Sequence, residues 1–219
     1  MSARDAILGR LHKALAEESP SRIAPQSVSD APSAVNERLS VKPRSTLPTF
    51  SEDPTERLVR LMESVEMSVT RVQTSNDVTN AVEEYINSEG LEGDVTVAPA
   101  LNHFNWPERF RSGGASGTEA TSVTPCLAAV AETGSVVLTS SGDTPATLNF
   151  LPDNHIVVVN ESQIVNHVDD VWTMLRDEKN SARAVNFVTG PSRTGDIEQA
   201  IEIGAHGPRR MHVVLVSGA

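Results

Sequence analysis

The chain has 219 residues, 38% of them hydrophobic and 21% charged, with 18 basic side chains against 29 acidic ones and a net charge of −11. That length and balance suit one substantial globular domain, with or without an appendage. An acidic excess with no Lys/Arg run excludes the counterion-displacing patches that drive non-specific binding to nucleic acid or to anionic membranes. The opening MSARDAILGR carries charges and no long apolar stretch. Later apolar runs fall far short of the roughly 20 residues of a bilayer span, so a cytoplasmic protein is expected. The single cysteine, Cys126, leaves no internal disulfide. Nor can one thiol hold an iron–sulfur cluster, which takes about four.

In chain order, Ser2 caps a predicted helix over residues 3–16, with Ile7, Leu8, Leu11 and Leu15 on one face, making 1–17 an N-terminal helical unit. Residues 18–52 scatter Pro20, Pro25, Pro32, Pro43 and Pro48 among polar residues and read as a Pro-rich linker or arm. A helix on such an arm either packs on a partner or a neighbouring subunit, as in a homo-oligomer, or folds back on its own domain. From residue 53 to 219 the pattern is that of an α/β domain. Asp53-Pro54 starts a helix through Leu58, Leu61, Met62 and Val65, and Val69–Val72 follows as a strand. Ser75 caps a second helix that Gly90 stops, and Val95–Ala98 is a short strand. Residues 100–118 read as a loop with one helical turn. Leu127–Ala131 and Ser135–Thr139 are strands, and Thr144-Pro145 opens a short helix to Phe150. His155–Val159 has the nearly all-apolar run of a strand buried on both faces. Ser162 caps a helix carrying Ile164, Val168, Val171, Trp172 and Leu175. A strand over 184–188, a helix over 195–203 and a strand over 211–216 complete the chain. The alternation predicts three layers: a mostly parallel sheet with helices on both faces.

In open α/β sheets ligands gather at the carboxyl ends of strands, where three loops are expected to converge. One holds Ser140, Ser141, Gly142, Asp143 and Thr144; another holds Gly190, Pro191, Ser192, Arg193 and Thr194; the third is the turn Glu132-Thr133-Gly134. In the second, two hydroxyls, the planar fork of Arg193 and the start of the predicted helix make a cradle for a carboxylate or phosphate. The same residues serve equally as a helix cap, with Arg193 paired to Asp196 or another acid. Glu132, between apolar strands, suits acid, base or nucleophile work, and suits as well the accepting of backbone N–H groups that fix its turn. The histidines (His12, His103, His155, His167, His206 and His212) form no HxH or HxxxH pair, so no metal site is expected. Of these, His155 reads as structural and His206, in GAHGP, as a contact for a ligand or partner. Cys126 reads as a small buried hydrophobe. Neither GxGxxG after a strand nor GxxxxGK[ST] occurs, so no dinucleotide fingerprint or P-loop is present.

The blocks AETGSVVLTSS (131–141), LPDNHIVVV (151–159), GPSRTGDIE (190–198) and GAHGP (204–208), in this order and spacing, resemble the LUD-domain family and above all its lactate-utilization members. The resemblance is dense from Thr124 to Val216 and thin before that, apart from the opening helix. It implies a fold similar to that of sugar-phosphate isomerases, CoA transferases and formyltetrahydrofolate cyclo-ligases. It further implies the non-cluster component of a multi-protein system that oxidises L-lactate to pyruvate, binding substrate or organising the complex. The iron–sulfur clusters then belong to partner proteins, with no cofactor in this chain. The fold group carries an alternative, an independent enzyme of acyl- or CoA-transferase or folate-ligase type with Glu132 as its catalytic carboxylate. Fold alone does not choose between them.

Overall fold

The computed structural model describes Ser33 and residues 35–37, 46–117, 119–177, 182–195 and 201–218. It divides into two compact units, Met1–Thr46 and Leu47–Ala219. In the first, Ser33 and residues 35–37 are helical. The helix expected over 3–16 lies outside the described residues, as does His12.

In the second unit, helix α1 (Pro54–Ser64) starts where the sequence says it should: the Asp53 carboxylate accepts the N–H groups of Thr55 and Glu56, and Pro54 needs no partner for its nitrogen. It leads into strand β1 (Met67–Val72). Helix α2 (Val78–Ser88) follows a single 3₁₀ turn. Thr74, not the expected Ser75, caps that turn, with Asp77 reaching back to its N–H and hydroxyl at 3.1 and 2.7 Å, and Asp77 is itself the N-cap residue of α2. After β2 (Val95–Val97) the 100–118 stretch holds the expected helical turn, Pro99–Leu101, and also an unexpected strand, β3 (Phe110–Ser112). A further unexpected strand, β4 (Thr121–Pro125), precedes β5 (Ala128–Val130) and β6 (Ser135–Thr139). Helix α3 (Thr147–Phe150) leads to β7 (Asn154–Asn160), buried along nearly its whole length.

Six strands form one sheet in the order β1-β12-β7-β4-β2-β3, where β12 is Arg210–Val216, and every ladder in it is parallel. Successive side chains take opposite faces. Val157, Val159, Met211, Val213 and Leu215 pack against Leu58, Val59 and Met62 of α1. Ile156, Val158, Val214 and Val216 pack against Val78, Ala81, Val82 and Ile86 of α2. The α/β class with helices on both faces is therefore what the chain adopts. Each fully buried Val, Leu or Ile in these layers contributes about 1.5–3 kcal/mol.

The three-layer expectation omitted a second sheet. Its order is β8-β5-β6-β9, with β8 at Ile164–Val165 and β9 at Val185–Val188. Ala129, Ala131, Val136 and Leu138 of this sheet join the α1 face of the core. Its other side, with Ala128, Val130 and Val137, is covered by Val171 and its neighbours on α4 (Val168–Asp177). Helix α4 thus begins later than expected. Ser162 sits in a 3₁₀ turn, and Ile164 and Val165 pair with Ala129 and Val130 while facing different cores, a period of two rather than 3.6. The last correction concerns 195–203. There β10 (Arg193–Gly195) pairs antiparallel with β11 (Ile201–Ile203), where a helix was expected.

Candidate functional site

The loops expected to meet do not all meet. Strands β6 and β9 are antiparallel, with Val136 opposite Val188 and Thr139 opposite Val185, so the loops that follow them leave opposite ends of the second sheet. The Ser140–Thr144 loop lies beside the carboxyl end of β2, where Asp143 accepts the Ala100 N–H at 3.0 Å. Its hydroxyls serve nearby backbone. Ser140 Oγ accepts the Ala184 N–H, and Ser141 Oγ accepts the N–H groups of Asp143 and Thr144. The Gly190 turn instead lies at the amino end of β1. Gly190 donates its N–H to Met67 Sδ at 3.2 Å, and a Cβ on it would stand 2.8 Å from the Val65 carbonyl oxygen. The Glu132 turn shares that end of the second sheet, because Ser135 Oγ bridges Thr133 Oγ1 at 2.7 Å and Thr189 Oγ1 at 2.6 Å.

Around Gly190 the expected donors are partly committed. Arg193 forms an ion pair with Glu66. Ser192 is held by its backbone, its N–H donating to Pro208 and its carbonyl accepting from Gly204. Thr194 pairs with Glu202 in the β10–β11 ladder that stands where the ends of the predicted helix were expected, so among the described residues no helix N-terminus faces this turn. His206 is exposed in the following loop.

Glu132 is the centre of a different cluster. Strands β5 and β8 run parallel, so their exits lie side by side: the Glu132 N–H donates to the Asn166 carbonyl at 3.0 Å. Its Oε2 accepts the Val168 N–H at 3.2 Å, at the start of α4, and stands 3.3 Å from Nδ1 of His167. A carboxylate only accepts, so Nδ1 carries the proton of that contact and Nε2 faces away. His167 packs on Phe50, ring centroids 5.6 Å apart, and the Arg57 guanidinium lies over the same phenyl ring, 3.7 Å from its centroid. His167, Phe50 and Arg57, with Pro48, Glu52, Pro54 and Asn166, line a cavity of about 300 Å³, and Glu132 stands behind His167. Sequence reasoning missed Arg57, Phe50 and the role of His167. Local spacing carries no trace of them, since the β5–β8 ladder is what brings Glu132 to His167.

Three titratable groups elsewhere in the domain are buried. His155 binds Thr124 Oγ1 through Nε2 at 2.7 Å, and burial pushes its pKa down to about 3. His212, bound to Ser68 Oγ at 2.8 Å and stacked 3.7 Å from Tyr85, is pushed down to about 4 by burial. Burial pushes the Cys126 thiol up to about 12. Among the described residues no group of three or more His, Cys, Asp or Glu side chains could hold a metal ion, and no helix is long and apolar enough to cross a membrane.

A six-stranded parallel sheet sharing its core with a smaller mixed sheet defines an α/β protein with a side-chain cluster at the junction of α1, β5 and β8. The chain belongs to the LUD domain family, whose model matches residues 55–216. It is similar to lactate utilization protein C of Deinococcus radiodurans, 37% identical over 95 residues, covering 43% of this chain and 45% of that protein. The Bacillus subtilis protein of the same name is 37% identical over 94 residues, covering 40% and 38%. The chain thus spans less than half the length of these curated relatives. A crystal structure of a DUF162 family protein from Deinococcus radiodurans has the same fold, with a TM-score of 0.60 at 21% identity, covering 77% of this chain and 99% of that one.

Proposed function

We propose that this protein serves lactate utilization as the non-cluster component of a multi-protein system that oxidises L-lactate to pyruvate. The observation that carries the reading is the similarity, within the LUD domain family, to relatives named lactate utilization protein C. Turning a 2-hydroxy acid into a 2-keto acid releases a pair of electrons, and these need a carrier. The one thiol of this chain is buried and held protonated, which suits packing and not metal ligation. Iron–sulfur clusters on partner proteins would take the electrons, and this chain would bind the organic acid or organise the assembly. The rival reading, an acyl- or CoA-transferring enzyme with Glu132 as nucleophile, has less support, because Oε2 of Glu132 is already engaged by the start of α4 and by His167.

Reconstitution from purified components tests the role. Lactate-dependent reduction of an added electron acceptor should require this chain together with the iron–sulfur partners. An equal rate without the chain would remove it from the system.

A further inference from the structure

The cavity between α1 and the Glu132–His167 pair joins three properties: a cation with uncommitted donors, a base of fixed orientation, and a wall of apolar carbon. We propose that it is a binding site for a small 2-hydroxycarboxylate, with Arg57 holding the carboxylate, His167 Nε2 accepting the hydroxyl proton's hydrogen bond, and Glu132 as a positioning residue. The choice of ligand class rests on the proposed role in lactate utilization; the placement of the site rests on geometry alone.

Arg57 comes first. Its nearest acid, Glu52, is 3.7 Å away and is claimed by Arg60 through a two-pronged contact at 3.0 and 2.7 Å. Those Arg60 hydrogen bonds hold the Glu52 carboxyl below its ordinary range, so it stays the partner of Arg60. The Arg57 guanidinium lies over the Phe50 ring, which restrains its fork, and its Nε is buried with no partner among the described residues. A planar fork held in one orientation, with donors to spare, is suited to a carboxylate.

His167 supplies the second contact. Its backbone N–H is anchored on Asp170 Oδ2 at 3.0 Å and its Nδ1 on Glu132, so the ring cannot turn freely. With Nδ1–H committed to the carboxylate, the neutral ring offers only an acceptor at Nε2. An acceptor there suits a hydroxyl and leaves a keto oxygen or a methylene without a partner. Phe50 contacts both the guanidinium and the imidazole, so the two polar groups border one apolar surface in the same cavity. A short carbon skeleton bearing adjacent carboxylate and hydroxyl groups matches that layout, and a 300 Å³ cavity holds it with room for water.

The test is nuclear magnetic resonance on the full chain, which reads weak binding directly; roughly millimolar affinity is expected of a ligand of about six heavy atoms. L-Lactate should move the His167 ring and Arg57 side-chain resonances, and propionate and pyruvate, which lack the hydroxyl, should bind roughly tenfold more weakly. Arg57→Gln should weaken all three acids by about tenfold or more, and Arg57→Lys, which keeps the charge and loses the fork, should recover part of the loss. His167→Gln should bring lactate down to the level of propionate. Glu132→Gln should change the tautomer of His167, read from its ring ¹⁵N shifts, and with it the preference for lactate. A residue that merely capped α4 would leave both untouched. The same spectra report whether each variant is folded. If the pocket resonances stay still at the highest soluble lactate concentration, or if Arg57→Gln binds as the parent does, the site is overturned, and a requirement for the chain in lactate oxidation would survive that result. If the pocket binds lactate while oxidation runs without the chain, the site stands and the role falls.

Discussion

Gly134 is where the β5–β6 turn presses on the backbone of α1. Its φ is +68°, and a Cβ placed there would stand 2.7 Å from the Cβ of Leu61 and 3.1 Å from the Met62 nitrogen. Gly134→Ala combines a left-handed backbone with a clash that no rotamer relieves, so a loss of about 2–4 kcal/mol in urea unfolding is expected. The buried histidines act through protons. Both fold neutral, with pKa values pushed to about 4 for His212 and about 3 for His155. An unfolded histidine titrates near 6.5, so the unfolded chain binds more protons between that value and the folded ones. Stability is therefore complete above about pH 6.5 and falls as pH drops toward 4 and then 3, each histidine costing about 2 kcal/mol by pH 5. His212→Gln removes one of the two, so its unfolding free energy should fall less steeply between pH 7 and pH 5 than that of the parent. Parallel pH profiles of parent and variant would refute the assignment.

At the scale of elements, caps decide where helices begin, and α1 is the cleanest case. Asp53→Ala strips the acceptor from the Thr55 and Glu56 N–H groups at 2.9 and 3.2 Å, and should cost about 1 kcal/mol in thermal or urea melts. That cap was legible in the sequence because Asp-Pro is a local signal. So were β6, β7 and β12, whose apolar runs are strands under any reading. Strand β4 was not, because TSVTP has the composition of a loop. Its hydroxyls become tolerable only through distant partners: Ser122 Oγ donates to the Leu148 carbonyl at 2.6 Å, and Thr124 Oγ1 meets His155. Ile201 and Ile203 stand at the period-two spacing of a strand, too short a signal to read without partners, and the pairing of Ile201 with Gly195 and Ile203 with Arg193 selects the strand. The candidate site was half visible. Glu132 drew attention by its setting between apolar strands, whereas Arg57 and Phe50 lie more than seventy residues upstream and join it only through the packing of α1 on the second sheet.

At the scale of the molecule, all the residues of the three apolar clusters fall between Leu58 and Val216, yet the larger compact unit begins earlier, at Leu47. The segment between those points contributes to the Arg57 cavity through Pro48, Phe50 and Glu52, and it adds little to the core. Stability and binding should therefore separate when the chain is shortened. A chain starting at Leu47 should unfold cooperatively near the melting temperature of the parent and keep the Arg57–His167 cavity. A chain starting at Asp53 keeps every core residue and the α1 cap but loses the ring beneath Arg57 and the acid that holds Arg60. Those are a cation–π contact worth about 1 kcal/mol and a fully exposed ion pair screened by solvent, so the melting temperature should drop by only a few degrees. Lactate-induced shifts at His167 should nevertheless vanish, because without Phe50 the guanidinium of Arg57 is free to turn and to pair elsewhere. Circular dichroism melts and the lactate titration on the two shortened chains decide the matter. Loss of folding in the chain from Leu47 would mean that the first unit completes the core. Unchanged lactate shifts in the chain from Asp53 would mean that Phe50 plays no part in the site.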